Sequence, residues 1–347
     1  MSTPRAPISL SSTTCLRLTE AGGGIARKRS GQVMSDPLDF LDIMRGRLRR
    51  AGIRFALTSG MACVHYGLQQ NTKDSDWIVA PDDLEKFRAL LSSFETDPSQ
   101  GRVSYRSIFG APLEMEFLAH GWTSHVSVWD TPDSPEHRVD LFGKPPRVQR
   151  VETEPDDEDW ASRHVVAQMK KTDRDRDWPI VDGLGWQLVS LGRPECLLHL
   201  QDPAKLVAAW QSTDASSREA AAVRRPLLRR LATETDPDRL LGFIRLERLI
   251  WESVNQERYG LFERAWKDFY RRWKTEAGWQ WPTVEAFSAQ HARLKEAARR
   301  HGLPDDPLRT SSRDEIVDRG LRRAATRGIQ PLELILALTP PPSELMP

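Results

Sequence analysis

FALTSGMACVHYGLQQNTKDSDWIV, residues 55–79, starts with a short apolar run and turns at Ser59 and Gly60. A helix-sized segment follows, and Asp74, Ser75 and Asp76 then open a second apolar run. Side chains two apart in a strand project from one face, so Asp74 and Asp76 point the same way if residues 74–79 are extended. Two carboxylates that close repel unless positive charge sits between them, and an oxygen-loving divalent ion such as Mg²⁺ supplies it. A small-residue turn leading into a helix also leaves backbone N–H groups free to hold phosphate. The stretch therefore reads as a compact site for a metal-bound nucleoside triphosphate.

This pattern resembles the nucleotidyltransferase superfamily, whose fold is that of the DNA polymerase β palm, and in particular its small bacterial members. Their signature is a hydrophobic strand, a Gly-Gly or Gly-Ser turn, a short helix, and Thr-x-Asp-x-Asp running into a second strand. Here the turn is Ser59 and Gly60, the helix covers about 61–66 and ends at Gly67, and Thr72, Lys73, Asp74, Ser75 and Asp76 close the motif. Ser59 stands where the first glycine is common, and Gln70 stands where many relatives carry an arginine. The resemblance implies an α+β fold, a mixed sheet with flanking helices, and the apolar spacing beyond it predicts a helical C-terminal domain. It also implies two Mg²⁺ ions, a nucleoside triphosphate as substrate, and a phosphate cradle at Ser59 and Gly60.

The chain of 347 residues is long enough for two domains with cores of their own. A net charge of +1 gives no overall field to steer it to nucleic acid or membrane. No apolar run approaches the roughly 20 residues of a membrane-spanning helix. Cys15, Cys63 and Cys196 are scattered without paired spacing. They suggest neither a zinc site nor a disulfide framework, and a cytoplasmic location is expected.

Residues 1–33 are rich in Ser, Thr and Arg, almost free of acids, and read as disordered and functionally silent. They have the composition of a transit peptide or of an upstream extension, with Met34 as the expected start. Residues 34–150 are expected to form the catalytic domain, 151–300 a helical domain, and 301–347 a mostly irregular tail with one helix at about 313–327. Apolar spacing predicts a helix over 38–50, strands at 54–58 and 103–109, and a helix from Pro81 to about Phe94. Two further strands are expected at 125–129 and 137–142, joined by the turn-rich 130–136. Residues 111–122 fit strand alternation and helical spacing equally well.

A third carboxylate on a later strand would complete the site. Asp140, isolated between apolar neighbours in RVDLF, is the preferred candidate because a lone buried carboxylate costs several kcal/mol unless paired or metal-bound. Its run resembles the family's third motif, in which an acid shares the catalytic metal and helps deprotonate the attacking hydroxyl. Glu114 and Glu116 are the rivals, and an edge-strand side chain facing water is the bland reading of Asp140.

A second signature is Met169-Lys170-Lys171-Thr172-Asp173-Arg174-Asp175-Arg176-Asp177. It resembles the family's lysine, short spacer and Arg-x-(Lys/Arg)-Asp before a helix. The resemblance implies Lys170 or Lys171 on the nucleotide phosphates, Arg174 and Arg176 as guanidinium positions, and Asp177 as a supporting acid. Taken alone, such a charge run is an ordinary solvated helix face. His125 opens a strand near the expected site as a candidate substrate contact or base.

In the C-terminal half, Asp236 and Pro237 are expected to cap a helix. Over 264–274, Trp266, Phe269, Tyr270 and Trp273 share one face, while Arg264, Lys267, Arg271 and Lys274 share another. The aromatics suggest core and the basic face a possible RNA contact.

The expected activity is transfer of a nucleoside monophosphate from a nucleoside triphosphate to an acceptor hydroxyl, with Asp74, Asp76 and Asp140 on the metals. The arrangement also resembles the type IV toxin nucleotidyltransferases of abortive-infection systems, which implies RNA as acceptor and an antitoxin protein as partner, whereas antibiotic-modifying relatives use small molecules. The alternative is a non-catalytic nucleotidyltransferase-fold protein that binds a nucleotide or a partner. That reading expects Asp140 open to solvent, or Asp74 and Asp76 tied to arginines.

Overall fold

The computed structural model describes residues 37–96 and 101–347. The expectation for residues 1–33 lies outside this range. Helix α1 (Pro37–Arg50) leads into strand β1 (Phe55–Thr58), which turns directly into helix α2 (Ser59–His65). Strand β2 (Asp74–Val79) returns antiparallel to β1, pairing Thr58 with Asp76. Helix α3 (Leu84–Ser93) follows a short turn opened by Pro81 and buries Leu84, Phe87 and Leu91.

Strand β3 (Arg102–Tyr105) is shorter than expected, because the chain bends away from the sheet after Arg106, whose N–H still donates to the His125 carbonyl at 3.0 Å. The ambiguous segment 111–122 is mostly loop with one helical turn, α4 (Met115–Leu118), which buries Phe117 and Leu118. Strands β4 (Thr123–Trp129) and β5 (His137–Phe142) form the expected antiparallel pair. Strands β6 (Thr153–Glu154) and β7 (Asp157–Ala161) then close the sheet. The resulting seven-stranded mixed sheet has the order β3-β4-β5-β2-β1-β7-β6. Because β7 lies parallel to β1 through Leu57 and Trp160, the sheet runs past the boundary expected at residue 150.

The remainder is helical: α5 (Arg163–Lys170), α6 (Trp178–Ser190), α7 (Pro203–Ser212), α8 (Ala215–Arg224) and α9 (Pro237–Trp273). After these come α10 (Phe287–Arg300), α11 (Arg313–Gly328), α12 (Leu332–Leu338) and α13 (Pro342–Leu345). Asp236 does cap α9, its carboxylate accepting the Asp238 N–H at 2.9 Å with Pro237 in the first turn. The aromatic stretch 264–274 is the last part of this 37-residue helix and not a helix of its own.

Two hydrophobic cores meet along α9. Its later residues Phe262, Phe269 and Trp273 join the core of the sheet, and its earlier residues Leu240, Ile244, Ile250 and Val254 join the helical core. The segment 301–347 was expected to be mostly irregular. It is instead folded onto this second core, burying Ile316, Leu321, Ile335, Leu338 and Leu345. Gly320 lets α11 approach α9 closely, since a Cβ there would lie 2.6 Å from Val254 Cγ2. No described helix is long and apolar enough to cross a membrane.

Candidate active site

The turn after β1 is conformationally demanding. Ser59 has φ +51°, in the left-handed region that glycine enters freely and other residues enter at a cost of roughly 1–2 kcal/mol. Gly60 has no such φ but has no room either, because a Cβ would stand 2.5 Å from Thr72 Oγ1. Its backbone N–H faces the Asp76 carboxylate and favours the charged form. The amide at this turn therefore serves a side chain of the protein itself.

Sheet register builds the row of acids. Asp76 is paired with Thr58 on β1 and with Asp140 on the parallel neighbour β5, and Asp140 is paired with His125 on β4. Asp74 lies two residues from Asp76 on the same face, opposite Arg138. The other face of β2 and β5 is core, with Trp77, Val139 and Leu141 buried. Of the three candidates for the third acid, only Asp140 belongs to this row. Glu114 is committed elsewhere, to Arg88 at 2.6 Å, His291 at 2.8 Å and Lys295 at 3.1 Å, and Glu116 is exposed.

The row's negative charge is only partly compensated, by Arg106, Arg138 and Lys170. Burial, with Asp140 and Asp74 as like-charged neighbours, pushes the Asp76 carboxyl up from 3.8 to about 7, against the pull of Lys170 and the Gly60 amide. Asp74 Oδ1 is sealed from solvent without a hydrogen bond, and Nη1 of Arg106 and of Arg138 each lies 3.9 Å away. Asp140 is better served. Its Oδ1 accepts from Arg106 Nη1 at 3.0 Å and lies 2.7 Å from His125 Nδ1. Its Oδ2 has no hydrogen-bond partner among the described residues.

The second signature divides between two places. Lys170, at the end of α5, is buried, acts on Asp76, and sets its Nζ 3.7 Å from Asp177 Oδ1. Lys171 does not join it. Its ammonium lies over Trp251 at 4.3 Å, donates to the Leu198 carbonyl at 3.0 Å, and is pushed down to about 7 by burial. Asp177 is a structural hub, accepting from Thr172 Oγ1 at 2.6 Å and pairing with Arg174 at 2.8 Å. Arg176 is exposed and pairs with no described residue, so it contributes nothing to the row. Arg106 and Arg138 touch the acids and were not singled out from the sequence. Arg138 was within reach, since it alternates with Asp140 on β5, but no sequence signal marks Arg106, which enters from beyond the end of β3.

The residues partly fit the divalent ions that the resemblance implies. Among the described residues, no three His, Cys, Asp or Glu side chains stand close enough together to form a ready-made metal cage. The donor chemistry nevertheless suits a hard dication: three carboxylates face the same side, one oxygen is orphaned, and one carboxyl is held up to about 7 by burial and by its acidic neighbours. Asp74 and Asp76 fit such an ion, and Asp140 has Oδ2 to offer. No family model matches the chain, and no curated protein or solved structure is similar enough to count as a match.

Proposed function

We propose that this chain is a Mg²⁺-dependent nucleotidyltransferase with a polymerase-β-like catalytic sheet. It would move a nucleoside monophosphate from a nucleoside triphosphate to an acceptor hydroxyl on RNA or a small molecule. One observation carries the reading: Asp76 and Asp140 are register partners on parallel strands, Asp74 shares their face, and Asp76 is pushed to about 7 by burial and then by these acidic neighbours. The strand order around β1 and β2, with α2 between them, supports it.

Asp74, Asp76 and Asp140 would hold the ions. Bound Mg²⁺ supplies neutralisation of the triphosphate and a lowered pKa for the acceptor hydroxyl. Lys170 adds a positive point charge beside Asp76, and Ser59 with Gly60 shapes the turn beneath the phosphates. Asp140 Oδ2 would take the hydroxyl proton on the lone pair not turned to the ion, while His125 and Arg106 hold Oδ1. The acceptor oxygen bonds to the α-phosphorus, the bond from that phosphorus to the bridging oxygen breaks, and pyrophosphate leaves with the electron pair.

A specific contact favours the second reading, a non-catalytic nucleotide- or partner-binding protein. Arg106 Nη1 stands 3.0 Å from Asp140 Oδ1 and 3.9 Å from Asp74 Oδ1, so it partly does a cation's work. Incubation with each of the four α-³²P nucleoside triphosphates and Mg²⁺ separates the two, with bulk RNA and a small-molecule pool as acceptors. Wild type should transfer label, and Asp74→Ala/Asp76→Ala should lose at least about 100-fold. Nucleotide binding equal in both proteins, with no transfer by either, would establish the second reading instead.

A further inference from the structure

A cleft opens beside the row of acids. Phe142 and Thr123 are register partners two residues beyond the Asp140–His125 pair and on the same face, roughly 7 Å along the strands. They line a cavity of about 380 Å³ roofed by α9 through Asn255, Arg258 and Tyr259. An adjoining cavity of about 250 Å³ shares Gly121, Pro146, Arg147 and Arg258 with it and extends to Lys144 and Arg313.

Arg258, Arg147, Lys144 and Arg313 form no ion pair among the described residues, while Asp306, Asp177 and Asp173 act on them from beyond contact distance. Arg258 makes no hydrogen bond or ion pair among the described residues. Its guanidinium lies 4.8 Å from the Phe262 ring, and burial pushes it down to about 10. Arg147 is buried and gives three donors to neutral acceptors, the carbonyls of Gln168 and Met169 and the side-chain oxygen of Asn255. Its remaining donors are unspent. Burial and the nearby charges of Arg258 and Arg174 push it down to about 9. Lys144 and Arg313 also lack ionic partners among the described residues, and the Lys144 ammonium is lowered by burial and then by Arg258 and Arg313.

The facing acids do not settle the balance. Asp306 is already engaged by Arg309 at 3.7 Å and by the Leu308 N–H at 2.9 Å, and Asp173 is exposed at the rim. The backbone is also shaped for Arg258. Gly121, at φ +92°, would carry its Cβ 2.8 Å from Arg258 Nη2, so any side chain there would displace the guanidinium.

Like charges gathered in a partly desolvated cleft repel unless an anion joins them, and arginine matches phosphate oxygens bidentately. We propose that this cleft binds phosphate groups of an anionic ligand, with Arg258, Arg147 and Lys144 as its contacts. The proposal stands on these cations and does not require the acids to be catalytic. Its phosphates belong either to a compact polyphosphate compound or to an oligonucleotide backbone, whose end would then lie beside Asp140.

Binding of tripolyphosphate and of a labelled single-stranded ten-nucleotide RNA to the full chain, without Mg²⁺, tests this. Wild type, Arg258→Gln, Lys144→Gln and Asp74→Asn/Asp76→Asn would be compared, each with its thermal midpoint. Arg258→Gln should weaken binding about 10-fold and Lys144→Gln about 3-fold, while the double aspartate variant binds at least as well as wild type. A loss confined to tripolyphosphate assigns a compact ligand, and a loss extending to RNA with a weakened salt dependence assigns a nucleic acid. If wild type binds neither probe, or if Lys144→Gln binds both as wild type does, the proposal is overturned. Lys144 is exposed, so its arm decides even if Arg258→Gln fails to fold. Failure of label transfer with cleft binding intact would overturn only the catalytic reading.

Discussion

The Arg225–Glu247 pair of the helical core and the polar face of the sheet treat buried charge in opposite ways, although Lys171 and His199 Nδ1 show that the helical core also holds polar groups without a full set of partners. In the helical core Arg225 grips Glu247 through Nε and Nη2 at 2.7–3.0 Å and donates its other nitrogen to the carbonyls of Leu197 and Leu200. His164 and His199 share a 2.7 Å hydrogen bond, and burial lowers the pKa of both, so they remain neutral there. On the sheet face Asp74 keeps an orphaned oxygen and Asp76 is held up to about 7. Charge satisfied from within holds a structure together. Charge left unsatisfied is retained at a stability cost, and where several such groups share one face they mark a candidate site for something that binds.

The largest effect should come from breaking the satisfied side. Glu247→Gln leaves Arg225 buried without a counter-charge and should cost about 3–5 kcal/mol in urea unfolding. A loss under 1 kcal/mol would mean that the helical core is no better compensated than the sheet face.

Asp76→Asn should do the reverse without divalent ions. Because Asp76 binds its proton more tightly folded (about 7) than unfolded (about 3.8), its contribution is fully present below about pH 4 and is lost as pH rises through 7. Wild type should therefore lose on the order of 1–3 kcal/mol across that window, and the variant should lack this slope. Mg²⁺ should restore wild type at pH 8 and leave the variant unmoved. Equal pH profiles would remove the case for strain at Asp76.

Gly60→Ala forces a Cβ against Thr72 and should cost about 1–3 kcal/mol in thermal or urea unfolding. Arg106→Gln sharpens the contrast more gently, releasing Asp140 Oδ1 and one neighbour of Asp74. Mg²⁺ titration followed by thermal midpoint should then show a few-fold tighter ion binding. A weaker response would make Arg106 a ligand-orienting group rather than a substitute cation. Arg176→Ala should change stability by less than about 0.5 kcal/mol and label transfer not at all, because it is exposed and forms no hydrogen bond or ion pair with a described residue.

Much of the local architecture was legible. The Ser59–Gly60 turn, the shared face of Asp74 and Asp76, the β4–β5 pair and the Asp236–Pro237 cap all appear where the sequence placed them. Strand β7 was missed because DEDWA has little apolar alternation, and its place comes from Trp160 packing beside β1. The segment 301–347 reads as polar and proline-rich, yet its few apolar residues suffice once α9 offers a surface to cover.

Relations within a few residues, such as alternation along a strand, helical spacing, caps and left-handed turns, depend on backbone geometry alone, and the sequence determined them. Which of two adjacent lysines meets the acids is another matter. Lys170 closes α5 and Lys171 already lies outside it with a non-helical backbone, so the end of the helix sent Lys170 to Asp76 and Lys171 to Trp251. The pairing of Asp140 with Asp76, the arrival of Arg106, and the meeting of Lys144, Arg147 and Arg258 join residues tens to more than a hundred positions apart. Only the tertiary structure decided these, because such contacts exist only after the sheet and α9 have closed over them.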